Sequence, residues 1–156
     1  MGKFYDSLEK KHIRFIEAQK IFFVGTASGD KGINISPKGV YPVKVLDKNR
    51  VAYLGLAGSG NRTAQDIAAG SGVTLMFCSF DENPGILRLF CRGEALKKDD
   101  AGFNRLASLW DGGDGRKSAE RAREIFLLHV EKVHTSCGFG VPVFSYIGDK
   151  PEAGRL

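Results

Sequence analysis

Short runs rich in β-branched and aromatic residues, each closed by a cluster of Gly, Asp, Asn or Ser, constrain this chain more than any other feature. Such runs occupy residues 21–27, 33–36, 43–46, 51–56, 73–80, 86–95 and 125–133. Asp47-Lys48-Asn49-Arg50 joins two of them as a hairpin, and Ser28-Gly29-Asp30-Lys31-Gly32 and Asp81-Glu82-Asn83-Pro84-Gly85 turn the chain elsewhere. The spacing leaves no room for helical crossovers between most runs, so about six strands with short helices predict a small antiparallel barrel, mainly β (α+β). Leu8, His12, Ile13, Phe15 and Ile16 recur near helical spacing and predict an N-terminal helix within residues 1–20, capped by Asp6 or Ser7. Shorter helices are expected over 61–69 and 101–110, where Phe103 and Leu106 share a face with Leu109 or Trp110, and residues 118–123 are good helix formers. Residues 73–80 are apolar on nearly both faces, which predicts a central strand covered on both sides and, with one barrel wall insufficient for that, an obligate dimer.

A length of 156 residues with 42% hydrophobic content suits one domain, residues 1–156, ending in a tail at 143–156 that is aromatic and then polar. The net charge of +5 and pI of about 9.2 favour an anionic ligand. The basic residues are scattered, without a stripe interleaved with aromatics, so nucleic acid is not an expected partner. Cys78, Cys91 and Cys137 cannot all pair and form no CxxC, which fits a reducing compartment and predicts neither a disulfide framework nor a metal site. No signal-peptide core and no apolar stretch of bilayer length occur, so a cytoplasmic protein without a membrane partner is expected.

Two phrases carry the chemistry. Ile33-Asn34-Ile35-Ser36-Pro37-Lys38-Gly39 and Ala57-Gly58-Ser59-Gly60-Asn61-Arg62-Thr63 each end an apolar run in small, hydroxylated and basic residues. The second runs into the helix-like stretch 64–69, whose first-turn N–H groups would face a phosphate. Helix capping alone would account for Ser59, Asn61 and Thr63. Arg62 favours an anion site, because a guanidinium pairs bidentately with phosphate and a cap needs no such group. Lys38 would be an ordinary surface lysine were it not set between Ser36-Pro37 and Gly39, where glycine permits close approach of a ligand. Ser36 and Pro37 serve equally well as a plain strand end. Arg88 shares a strand face with Phe90 and Arg92, as on a solvated edge.

These phrases, with Thr135-Ser136-Cys137-Gly138-Phe139-Gly140-Val141-Pro142 and the order of the elements around them, resemble the pyridoxamine 5′-phosphate oxidase-like family of split-barrel flavoproteins. The resemblance runs from the first helix to about Gly140 and implies a six-stranded antiparallel split barrel that forms a homodimer, with an FMN in each of two interface clefts. It implies that Lys38 lies near the flavin, that Asn61, Arg62 and Thr63 clamp its phosphate, and that Arg88 reaches the flavin across the dimer. The set implied to bind cofactor is thus Ser36, Pro37, Lys38, Gly39, Ser59, Gly60, Asn61, Arg62, Thr63 and Arg88. Ile33 stands where the oxidases use an arginine and Thr63 where they use a lysine, and nothing in 143–156 matches their C-terminal tryptophan and arginine segment.

The expected function is an FMN-dependent oxidoreductase acting on a small-molecule redox substrate, with NAD(P)H as a candidate donor. No side chain stands out as a general acid or base, and Cys137 has no neighbouring base beyond His134. Two alternatives remain open at this level. One is an F420-dependent reductase, for which Lys97, Lys98 and Arg92 are the candidate contacts to an acidic tail. The other is an FMN-binding or sensing dimer without turnover.

Overall fold

The computed structural model describes residues 2–29, 32–39, 41–56, 61–111 and 119–149. In chain order the elements are β1 (Lys3–Tyr5), α1 (Lys10–Ala18), β2 (Phe22–Ala27), β3 (Ile33–Lys38), β4 (Lys44–Asp47), β5 (Arg50–Leu56), α2 (Arg62–Ala68), β6 (Val73–Cys78), β7 (Ile86–Lys97), α3 (Ala101–Ala107) and β8 (Ala122–Ser136). All strand pairs are antiparallel and run β3-β2-β6-β7-β8-β5-β4. The fifteen-residue β8 organises the sheet. It pairs with β7 along one edge, while β5 takes Ala122 to His129 and β1 takes Val133 to Thr135 on the other.

Each run expected as a strand is one, and the sheet is mainly antiparallel with a few short helices. Three local expectations are corrected. Residues 3–5 are the strand β1, not part of a helix; with the seven runs this makes eight described strands where about six were expected. The first helix is capped at Glu9 and not at Asp6 or Ser7: the Glu9 backbone N–H donates to His12 Nδ1 at 3.0 Å, and Asp6 pairs with Lys132 on β8. Pairing with β8 draws the chain before α1 into the sheet, so the helix can begin only three residues later. Ala122 and Arg123, good helix formers by local propensity, begin β8 because β5 pairs with Ala122 and with Glu124 on either side of Arg123.

The inner face of the sheet carries Val24, Val51, Leu75, Leu89, Leu128, Val130 and Val133, all fully buried, with Ile16 of α1 packed into the same core. A second cluster lies on the other face of β5 and β8, where Phe103, Leu106 and Trp110 cover Ala52, Leu54 and Ile125. Burying each large side chain there contributes about 1.5–3 kcal/mol before entropy is counted, and Trp110 Nε1 donates to the Pro42 carbonyl at 3.2 Å. The strand buried on both faces is therefore β5, from Val51 to Gly55, and not the run at 73–80. In β6, Val73, Leu75 and Phe77 are buried while Thr74 and Met76 stay half-exposed, because no helix of the described residues covers that side. Among the described residues, no helix is long and apolar enough to cross a membrane.

Candidate functional site

Period-two alternation decides which part of the first phrase can act together. In β3, Asn34, Ser36 and Lys38 are half-buried on one face, and Ile33, Ile35 and Pro37 are exposed on the other. The first face looks onto Asn61, Arg62 and Thr63 at the start of α2. The end of β5 (Gly55, Leu56) and the start of β8 (Arg123, Glu124, Phe126) complete a cavity of about 320 Å³. Ser36, Lys38, Asn61, Arg62 and Thr63 are thus brought together from two segments far apart in sequence. Pro37 is turned to the opposite face, Gly39 lies just past the strand, and neither lines the cavity. Ser59 and Gly60 fall outside the described residues.

Polar groups behind the cavity form one connected network. Asp66 of α2 is fully buried and accepts hydrogen bonds from Thr26 Oγ1 (2.7 Å), Ser28 Oγ (2.7 Å) and Arg62 Nε (2.6 Å). Burial by itself would raise its pKa, but the hydrogen bonds from Arg62, Ser28 and Thr26 outweigh it and hold the carboxyl at about 2. Arg62 also donates to the Gly32 carbonyl at 2.9 Å, so its plane is set from both sides. Asn34 Nδ2 donates to Thr26 Oγ1 (3.1 Å) and Thr63 Oγ1 (3.3 Å), which ties β3 to α2. Asn61 occupies the N-cap position of α2 without making a side-chain cap bond; its Oδ1 accepts instead from Arg123 at 2.8 Å. Capping therefore does not explain Asn61. The Lys38 ammonium is half-buried and makes no hydrogen bond or ion pair among the described residues, and burial pushes its pKa down.

Three residues outside the expected cofactor-binding set belong here, Asn34 of the first phrase among them. Asn34 lies two positions before Ser36, so strand periodicity alone could have found it. Arg123 and Glu124 had no local signal, since they stand some sixty residues after Asn61 and reach it only through the β5–β8 pairing. That pairing shifts register between Gly55–Glu124 and Leu56–Ala122, leaving Arg123 as the extra residue of a bulge.

The remaining candidates lie elsewhere. Arg88 is on the outer face of the sheet, beside Met76 and His134 on the neighbouring strands, and donates to Ser136 Oγ at 3.1 Å. Phe23, Ile33, Ile35, Met76 and Phe90 line a shallow apolar hollow of about 540 Å³ on that outer face. Arg92 pairs with Glu131 at 3.4 Å, and Lys98 donates to the Glu120 carbonyl at 2.7 Å. Neither they nor Lys97 line the cationic cavity. Cys78 and Cys91 are buried and unpaired, and burial pushes the Cys91 thiol up to about 12. Cys137 is exposed, and its sulfur accepts from the Phe139 N–H at 3.2 Å.

The sequence profile of the family described as Pyridoxamine 5′-phosphate oxidase matches residues 8–137. The chain is 37% identical over 158 residues to the pyridoxamine 5′-phosphate oxidase family protein ustO of Aspergillus flavus, covering 99% of this chain and 61% of that protein. It thus spans about three-fifths of that relative's length. Among solved structures, a candidate pyridoxamine 5′-phosphate oxidase from Lactobacillus delbrueckii superposes with a TM-score of 0.62 at 21% identity, over 83% of this chain and 94% of that one. An FMN-binding protein from Syntrophomonas wolfei gives a TM-score of 0.54 at 10% identity, over 78% and 85%. The fold shared with these neighbours is the split barrel expected from the sequence, and the chain belongs to the pyridoxamine 5′-phosphate oxidase family.

Proposed function

We propose that the chain binds FMN, with its phosphate-bearing end in the cavity between β3, α2 and β8, and serves as an FMN-dependent oxidoreductase of this family. The observation that carries this reading is the convergence of Lys38 and Arg62 with Asn34, Ser36, Asn61 and Thr63 on one concave surface. Cations and neutral donors in that arrangement fit a phosphate attached to a polyol. A volume of about 320 Å³ is at the small end for an organic ligand, so a tricyclic ring needs a second surface. A second copy of the chain, docked through the outer apolar face that carries Arg88, would provide it.

When bound, FMN would supply the redox chemistry. The protein contributes position and charge. Asp66, held ionised by its three donors, fixes the Arg62 guanidinium and is itself unsuited to deliver a proton near neutral pH. Lys38 places a poorly solvated positive charge in the cavity, where it would act on bound anionic groups with little screening. Identification of the chromophore released from purified protein, followed by anaerobic addition of NADH or NADPH, tests the proposal. Release of FMN and bleaching of the bound flavin are expected. Release of a deazaflavin would transfer the site to F420, and FMN that no donor bleaches would leave a binding or sensing protein. Apoprotein that does not quench FMN fluorescence would remove the flavin altogether.

A further inference from the structure

Arg123 enters the cavity by a route that no motif announces. The bulge in the β5–β8 pairing leaves it without an opposing residue on β5, and a bulge of this kind re-aims the side chain it carries. Its guanidinium donates to Asn61 Oδ1 at 2.8 Å and lies 3.4 Å from the Glu124 carboxylate. Glu124 is almost fully buried, so the partners of the fork among the described residues include a neutral acceptor and a charge that water does not screen well. Arg62 stands on the adjacent residue to Asn61, with Asp66 setting its orientation from behind. Two planar guanidinium groups thus line one cavity, each fixed by its own acceptor, with the ammonium of Lys38 beside them. Such an arrangement is organised before any ligand arrives, and its three cations, set against the carboxylates of Asp66 and Glu124, leave an excess of positive charge that suits an anion.

We propose that Arg123 is the second guanidinium of this site, aimed by the bulge and positioned by Asn61, and that it joins Arg62 in holding the phosphate of the bound ligand. Glu124 opposes that anion and tempers its affinity. The proposal rests on the flavin reading only for what carries the phosphate.

The test measures the thermal midpoint of the protein against inorganic phosphate, with ionic strength held constant by chloride, and FMN and riboflavin affinities in parallel. Phosphate raises the midpoint of the wild type. In Arg123→Gln that response is lost and FMN binding weakens by roughly tenfold or more, as for one charge-assisted hydrogen bond, while riboflavin binding is little changed. Arg123→Lys keeps a charge without the fork and retains part of the response. Glu124→Gln, which removes the opposing charge at constant size, strengthens it. Opposite signs at two adjacent residues, Arg123 half-buried and Glu124 buried, cannot arise from general damage to the fold. A wild-type phosphate response in Arg123→Gln, no response in the wild type, or a parallel loss in Glu124→Gln would each overturn the proposal. If Arg123→Gln does not fold, the Arg123→Lys and Glu124→Gln pair decides by the same signs. A wild type that responds to phosphate yet binds no FMN would leave Arg123 in its role and end the flavin reading alone.

Discussion

At the scale of single residues, the site depends on a buried carboxylate that does not itself line the cavity. Asp66 has a pKa of about 2 in the folded chain against 3.8 for the ordinary carboxyl, so the native state favours its ionised form. Its stabilisation is fully present above the unfolded value and fades as pH falls from about 4 towards 2. Asp66→Asn should therefore lower stability at neutral pH, and urea unfolding of both proteins across that window should show the gap narrowing with acidity. For the ligand itself, Arg62→Ala should cost FMN about 1.5–3 kcal/mol of binding while leaving riboflavin nearly unaffected. Fluorescence titration of apoprotein with both compounds checks it, and equal losses would detach Arg62 from the phosphate. Lys38→Met keeps most of the stem and removes the charge. A loss of about 1.4 kcal/mol corresponds to roughly 30 mV for a two-electron couple, so the midpoint potential of bound FMN should fall by that order. Spectroelectrochemical titration that finds no shift would mark Lys38 as an ordinary solvated side chain.

At the scale of elements, the backbone geometry that shapes the site is written in small residues. A Cβ on Gly93 of β7 would collide with the Leu127 carbonyl and come within 2.6 Å of Leu128 Cδ2, so β7 and β8 approach too closely for any side chain there. Gly93→Ala should destabilise the chain by about 1–3 kcal/mol through forced displacement of the paired strands, measurable by denaturant unfolding. Gly55 is tight for a related reason: its Cβ would lie 2.7 Å from Phe126 Cε2 and 2.8 Å from Glu124 Cγ, beside the bulge that carries Arg123. The end of α2 is similarly marked, since Gly70 adopts φ of 85°, a left-handed conformation that other residues rarely take. Local pattern identified these strands and turns because alternation and turn chemistry are short-range signals. It misplaced the cap of α1 and missed β1, since three residues without a strong pattern become a strand only when β8 offers them an edge.

At the scale of the whole molecule, the outer face of β2, β3, β6 and β7 is the surface that remains to be covered. Ile33 and Ile35 are 77% and 68% exposed and stand with Phe23, Met76 and Phe90, an apolar patch of the kind that mediates association. Sedimentation should report twice the chain mass of 17.0 kDa, and Ile35→Glu should yield a monomer with weakened FMN binding. A monomeric wild type that binds FMN tightly would exclude a flavin shared between copies. The sequence by itself determined the family, the strand-rich architecture and the residues Ser36, Lys38, Asn61, Arg62 and Thr63 as a polar, cationic set. The architecture follows from composition and period-two alternation, and the family and the polar set from contiguous motifs and their resemblance, all local properties. Only the tertiary structure decided that Pro37 turns away, that β5 and not β6 is buried on both faces, and that Arg123 and Glu124 join a cavity some sixty residues upstream. Strand register and α3 packing set these outcomes, and both depend on which distant segments meet, which no local pattern encodes.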